Sequence, residues 1–183
     1  KVNADVAENA MDAVLDAGPH IGTLSTVADG RPWVVPMLYG RAGDRILMHG
    51  SVGAGALRHV AAGAPVAFCV MHIDAWVYAH TLFDSSANYR SAVVLGRARL
   101  VTERDEKYAA LRAFTDQVVP GRWAEVRPIT EPELKGTAVL ALPIEEASAK
   151  VRTGPPLDDG DDLTWPVWAG VVPLVTAPGD LVP

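Results

Sequence analysis

The chain is poor in three things, and each shortage excludes something. It holds one cysteine, Cys69, in 183 residues. No intrachain disulfide can form, and the thiol, set in the apolar run PVAFCVM, reads as a buried structural group in a protein of the reducing cytoplasm. Basic residues are outnumbered, with 16 Lys and Arg against 22 Asp and Glu and a net charge of −6. A phosphate backbone rewards clustered Lys and Arg, so nucleic acid is not the expected partner. No apolar run approaches the ~18 to 20 residues that span a bilayer. The first stretch, KVNADVAENAMDAVLDAG, carries Asp and Glu where a signal peptide would be basic and then apolar, so no membrane association is expected.

Several reactive motifs are missing too. The five histidines, His20, His49, His59, His72 and His80, form no HExxH or HxxxH pair and have no cysteine partner nearby, so no metal site is expected. Around Ser51, HGSVGAG lacks the GxSxG turn of a hydrolase nucleophile, and no GK[ST] marks a nucleotide-binding P-loop. What is present is an ordinary globular makeup, 49% apolar and 21% charged, enough for a sizeable core in a single domain over residues 1–183.

Periodicity orders the chain. Val6, Ala10, Ala13, Val14 and Ala17 recur at helical spacing, predicting a helix over residues 3–17 closed by Gly18-Pro19. HIGTLSTV, WVVPMLYGR and RILMHGS then read as three short strands joined by the ADGRP and AGD turns. A short helix is expected from Ala54 to Ala62, and Pro65 opens a long strand with a bend or bulge near His72 to Ala75. SAVVLGRARLVT is the strongest strand pattern, and ERDEKYAALRAFTDQVV is a helix that places Tyr108, Leu111, Phe114, Thr115 and Val118 on one face. A second short helix at Glu131 to Lys135 precedes the strand TAVLALPI. Residues 145–175 form an irregular excursion that returns as a strand near Val167 to Val175. Six or seven strands with helices that do not alternate with them predict a mainly β fold, an antiparallel barrel with flanking helices.

Two stretches carry the chemistry. SSANYRSAVVLGRARLV crowds Ser85, Ser86, Asn88, Tyr89, Arg90 and Ser91 ahead of an apolar strand, which is either a solvated entrance or the wall of a site. HGSVGAGALR offers three glycines and Ser51 before a helix, an arrangement that admits an anion close to the backbone. Alone it reads as a strand-to-helix turn; with the Arg90 fork and the Tyr89 and Ser91 hydroxyls it points to a phosphate-bearing ligand. His49, His72, His80 and Tyr89 are the titratable candidates, each more simply read as structural. Trp33, Trp76, Trp123 and Trp165 read as core or interface anchors.

DGRPWVVPMLYGRAGDRILMHGS, PVAFCVMHIDAWVYAHTLFDSSANYRSAVVLGRARLVT, EKYAALRAFTDQVVPGRW and EEASAKVRTGPPLDDGDDLTWPVWAGVVPL, in this order, resemble the pyridoxamine 5'-phosphate oxidase-like flavin-nucleotide-binding proteins, in the branch related to nitroimidazole resistance. The resemblance covers about Ile21 to Leu174 and implies an FMN-binding split barrel acting as a homodimer, with the cofactor held between subunits. Transferred residue by residue, it sets Val34 through Tyr39 (Val35, Pro36, Met37, Leu38) along the isoalloxazine, mostly by backbone groups. His49 and Ser51 fall at the ribityl and phosphate end, with Arg90 and Ser91 opposite. Trp168 takes the place of a C-terminal aromatic that reaches the flavin of the other subunit, and Lys150 and Arg152 become candidate anion contacts.

Two departures stand out. Relatives carry Ser-Arg or Lys where this chain has Ala54-Gly55-Ala56, leaving Arg58 or Arg90 to compensate for the phosphate clamp. Relatives also carry a His-His pair where Asp84-Ser85 stand. The resemblance thus implies an FMN-dependent oxidoreductase acting on a small molecule. The departures keep two alternatives open: a split barrel whose altered flavin site binds a deazaflavin, haem or metabolite through Trp168, Trp76 and Tyr39, or cofactor-free chemistry by His80 and Asp84, which lie close in sequence.

Overall fold

Alternation of inward and outward side chains builds the sheets. The computed structural model describes residues 4–180 and 182, and in strand β1 (Ile21–Ala28) Gly22, Leu24 and Thr26 are buried while their neighbours are not. A two-residue turn at Asp29 and Gly30, both at positive φ, returns the chain as β2 (Arg31–Leu38), paired antiparallel from Ile21↔Leu38 to Ala28↔Arg31. Asp-Gly is suited to this turn because both central residues must adopt φ values most side chains avoid.

The remaining elements are helix α1 (Ala4–Leu15), β3 (Gly40–Ala42), β4 (Arg45–Ser51), α2 (Gly55–Ala61), β5 (Val66–Tyr78) and β6 (Ser86–Gly96). They continue with β7 (Arg99–Leu100), α3 (Arg104–Val118), α4 (Arg122–Glu125), α5 (Glu131–Gly136), β8 (Thr137–Pro143), β9 (Glu146–Arg152) and β10 (Gly170–Pro173). The hydrogen-bonded orders are β2-β1-β5-β6-β9, with β10 on β5, and β3-β4-β8-β7. This is the mainly β, antiparallel fold with flanking helices that the sequence predicts. Among the described residues no helix is long and apolar enough to cross a membrane.

By packing, the chain divides into two compact units: one takes the chain up to Val70 together with Ala92–Ala149, the other Met71–Ser91 together with the chain from Lys150 onward. The first holds two apolar clusters, and strand parity explains both. In β8, Ala138 to Leu142 are buried without interruption because Leu140 and Leu142 enter one cluster with Tyr39, Phe68 and Met48, whereas Val139 and Ala141 enter the other with Leu111 and Leu134. β4 divides likewise, Ile46 and Met48 on one side and Leu47 on the other. Each such Leu or Ile contributes about 1.5–3 kcal/mol by leaving water.

The differences from expectation have physical reasons. Ten strands form among the described residues, because β3 and β7, with 3 and 2 residues, are too short to show a period; β10, with 4 residues, lies inside the strand expected near Val167 to Val175. β9 falls inside the expected irregular excursion; its side chains are mostly exposed, so no apolar alternation marked it. β5 forms one 13-residue strand, as expected, and its buried positions change parity from Val66, Phe68 and Val70 to Ala75 and Val77, across the stretch where a bend or bulge is expected. α1 closes at Leu15, and the expected start at residue 3 lies outside the described residues. Cys69 is half-buried, not buried, because it points from β5 to the face opposite Phe68 and Val70.

Candidate functional site

The first unit positions the residues expected to meet the flavin ring and phosphate. Along β2, Val34 and Leu38 are exposed, Val35 and Met37 half-buried, and Pro36 exposed. Tyr39 turns the other way. Its side chain is fully buried, its hydroxyl donates to the Leu15 carbonyl at 2.9 Å, and its ring meets His20 and Phe68 edge-on. Desolvation, with the Asp16 carboxylate second, pushes its pKa up to about 12; its backbone alone is left to face a ligand. His49 projects from β4 with its ring edge-on to Phe114 at 4.3 Å, and the partial desolvation pulls its pKa below the ordinary histidine range. Ser51 Oγ accepts from Gly53 N–H at 3.2 Å, and Arg58 lies exposed on α2.

The Ala54-Gly55-Ala56 departure has a local explanation. A Cβ on Gly55 would stand 3.0 Å from Trp33 Cη2, so the indole packs close against this bare backbone and would have to shift by a few tenths of an ångström for a larger residue. Trp33 in turn stacks on His59, with centroids 6.4 Å apart and planes 29° apart, and His59 is anchored by donation from Nε2 to the Val27 carbonyl at 2.9 Å. Trp33, read from sequence as an anchor, keeps 38% of its surface exposed.

The second unit holds the rest. The polar residues of SSANYR do not precede the strand; they are its first half, Ser86 through Ser91 of β6. Arg90 spends its fork on Asp74, with Nε at 2.9 Å from Oδ2 and a terminal nitrogen at 2.9 Å from Oδ1. That hydrogen bond is also the main reason its pKa rises. Tyr89 carries the Lys150 ammonium over its ring at 5.5 Å, and Ser91 is half-buried. Arg152 donates to the Ala87 carbonyl at 3.1 Å and to Asn88 Oδ1 at 3.2 Å. Arg90 and Arg152 are thus bonded within the protein.

Trp168 is 65% exposed and tilted against Tyr78 at 6.1 Å. It folds back over Gly170, where a Cβ would meet Cζ2 at 2.6 Å. Along β5, His72, Asp74, Trp76 and Tyr78 occupy one parity, and Trp76 and Tyr78 are 43% and 49% exposed. Trp165 is exposed as well, while Trp123 packs edge-on to Tyr108.

Sequence reasoning paired His80 with the wrong carboxylate. Asp84 Oδ2 accepts from Thr81 Oγ1 at 2.7 Å. His80 is held by Asp158, whose Oδ1 accepts from the His80 backbone N–H at 2.7 Å and whose Oδ2 accepts from Nδ1 at 3.0 Å. Burial pushes the Asp158 pKa up, but donation from the His80 ring and from the His80 and Thr81 backbone outweighs it and leaves the pKa lowered. Asp74 and Asp158 are the partners of Arg90 and His80 that sequence reading missed. Asp158 lies 78 positions from its partner in an irregular, acid-rich run, so neither spacing nor periodicity marks it.

Against known proteins, the family model described as pyridoxamine 5'-phosphate oxidase matches residues 7–151. No curated protein matches. Among solved structures, the FAD and haem binding protein from Mycobacterium smegmatis is 40% identical, with 97% of this chain and 86% of that chain covered and a TM-score of 0.92. The flavocytochrome Anf3 from Azotobacter vinelandii is 37% identical, with 96% and 81% covered and a TM-score of 0.88. A protein from Bacteroides thetaiotaomicron, provisionally assigned to 5-nitroimidazole antibiotic resistance, shares the fold at 17% identity, 78% and 82% coverage and a TM-score of 0.67.

Proposed function

Because this chain belongs to the pyridoxamine 5'-phosphate oxidase family, we propose that it is a flavin-binding redox protein, with FAD favoured over FMN and a small molecule as the reaction partner. The observation that carries the reading is the 40% identity, across 97% of the chain, to a protein named for binding FAD and haem. The residues present fit a flavin. β2 offers exposed Val34 and Leu38 with a free-standing strand edge, and the Ser51–Gly55 turn brings backbone beside the open Trp33 indole. When bound, a flavin can exchange electrons singly or in pairs, while the protein supplies orientation and electrostatics. The Trp33 face favours a dinucleotide, because an adenine can stack on an accessible indole and a mononucleotide has no base to place there. The reading includes a homodimer, supported by the apolar Val34 and Leu38 that β2 leaves in water.

Haem is a second reading. The Mycobacterium smegmatis and Azotobacter vinelandii proteins carry names that include it, as haem or as flavocytochrome. In the second unit, Trp76, Tyr78 and Trp168 expose flat faces and His80 presents an oriented imidazole, the donor type that holds haem iron.

Titration of the purified chain with FAD, FMN and haemin separately, read by flavin fluorescence and by Soret absorbance, tests both readings. Binding of FAD at least ten-fold tighter than FMN, about 1.4 kcal/mol, is the expected result. A protein that takes up neither flavin overturns the main reading.

A further inference from the structure

We infer that His80 is the axial ligand of the haem iron, through Nε2, and that Asp158 is the positioning residue that fixes its tautomer and strengthens it as a donor. This inference rests on the haem reading above and assigns residues to it.

The chemistry starts from the two hydrogen bonds. A carboxylate accepts and cannot donate, so the Nδ1 that lies 3.0 Å from Asp158 Oδ2 carries the ring proton. In neutral imidazole the lone pair then falls on Nε2, the nitrogen that a metal needs. Metal-bound histidines commonly donate their other ring N–H to a carboxylate in this way, which orients the ring and raises its basicity. Asp158 is well placed to do so, since its side chain is only 3% exposed, against 16% for His80, and the bond is shielded from competing water. Its second oxygen holds the His80 backbone N–H at 2.7 Å, tying ring and main chain to one carboxylate.

The loop that carries His80 is pinned as well. Thr81 Oγ1 donates to Asp84 Oδ2 at 2.7 Å and accepts from the Asp84 N–H at 3.1 Å. Ser85 Oγ donates to the Thr81 carbonyl at 2.7 Å and accepts from the Ala79 N–H at 3.2 Å. These bonds bracket His80 on both sides and hold its Cα in place without using its ring. The tip of the same loop leaves Leu82 97% and Phe83 95% exposed, two large apolar side chains with no burial of their own. A porphyrin is an apolar plate that supplies its own equatorial nitrogens. An oriented imidazole and uncovered apolar side chains on one loop are the two kinds of protein group that such a plate takes, a donor for the iron and apolar cover for the ring.

A surface ion pair alone would account for a His-Asp contact, but it would not require a dry carboxylate or a loop locked on both sides of the histidine. His72, on β5 with Trp76 and Tyr78 on its own parity, is the internal comparison.

The test uses the full chain loaded with haemin. His80→Ala should weaken haemin binding at least ten-fold, change the Soret and visible bands, and recover the wild-type spectrum with added imidazole. His72→Ala should keep both affinity and spectrum. Asp158→Asn should retain haem but shift the midpoint potential upward, because an amide withdraws less of the Nδ1 proton and leaves Nε2 a poorer donor. Far-UV circular dichroism confirms folding, and should His80→Ala not fold, Asp158→Asn carries the test by its potential. Haem bound by the wild type with the spectrum unchanged in His80→Ala, or an unchanged potential in a folded Asp158→Asn, overturns the assignment and leaves the haem reading standing. A wild type that takes up no haem overturns both, and its flavin titration is read independently.

Discussion

Tyr39 gives the most exacting test of the packing. Its hydroxyl, fully buried, donates at 2.9 Å to the carbonyl of Leu15, the last residue of α1. The final carbonyls of a helix have no partner inside the helix, so this side chain completes one of them. Tyr39→Phe removes the donor, keeps the ring contacts with His20 and Phe68, and leaves a desolvated acceptor. The cost should be about 1–3 kcal/mol near neutral pH. A second effect appears in alkali. The folded-state pKa lies at about 12 against an ordinary 10, so above pH 10 the unfolded chain releases a proton that the folded chain keeps. Stability associated with this group is complete below pH 10 and is lost as pH rises toward 12, by roughly 2 to 3 kcal/mol over the interval. Urea unfolding at a series of pH values, with tyrosinate absorbance followed in parallel, measures both effects. The wild type should lose stability through that window and the variant should lose less, with the same urea dependence of unfolding. Equal midpoints at neutral pH, or parallel alkaline slopes, would refute the account.

Two further outcomes follow from the sites. Trp33→Ala should weaken FAD about ten-fold while leaving FMN nearly unchanged, since a stacked base contributes about 1–3 kcal/mol; fluorescence titrations that move both flavins equally, or neither, remove the stacking role. Arg90→Ala should leave flavin affinity unchanged because the fork is engaged by Asp74, and Asp74→Asn should cost under about 1 kcal/mol for so accessible a pair; a ten-fold rise in the flavin Kd of Arg90→Ala would return Arg90 to the phosphate.

The fold was legible because long-period signals survive in a single sequence. The Asp29-Gly30 turn, the five consecutive buried residues of β8 and the helical face at Ala110, Leu111 and Phe114 each write their structure into local pattern. Family motifs then supplied the architecture. The site was less legible, because what a polar residue touches is decided by tertiary pairing. Arg90 looks like an anion fork until Asp74, 16 positions earlier, is seen to fill it. His80 looks like a partner for Asp84 until Asp158 arrives from the far excursion. Tyr39, expected on the strand Val34 to Tyr39 along the flavin, follows the end of β2 and turns its side chain into the core, a matter of parity that a resemblance in the backbone does not fix.

Both departures from the family pattern acquire a use through these contacts. At Gly55 a phosphate-clamping side chain is missing, and the space is given to Trp33, whose indole packs against the bare backbone and would meet a Cβ there at 3.0 Å. At Asp84-Ser85 a histidine pair is missing, and the replacements bond to Thr81 and Ala79 in the turn that surrounds His80. In each case a position that would touch ligand directly instead holds another side chain that can. An eroded flavin site would lose its contacts without replacing them, leaving loose loops and small residues facing water. Substitution matched by a new, well-held aromatic or imidazole group is what the proposed change of ligand requires: a flat face for a base at Trp33 and a fixed nitrogen for haem iron at His80. Gly55 belongs to one packing unit and Asp84 to the other; on the two readings Gly55→Arg should change flavin affinity and Asp84→His haem affinity, measured by the same titrations on each variant.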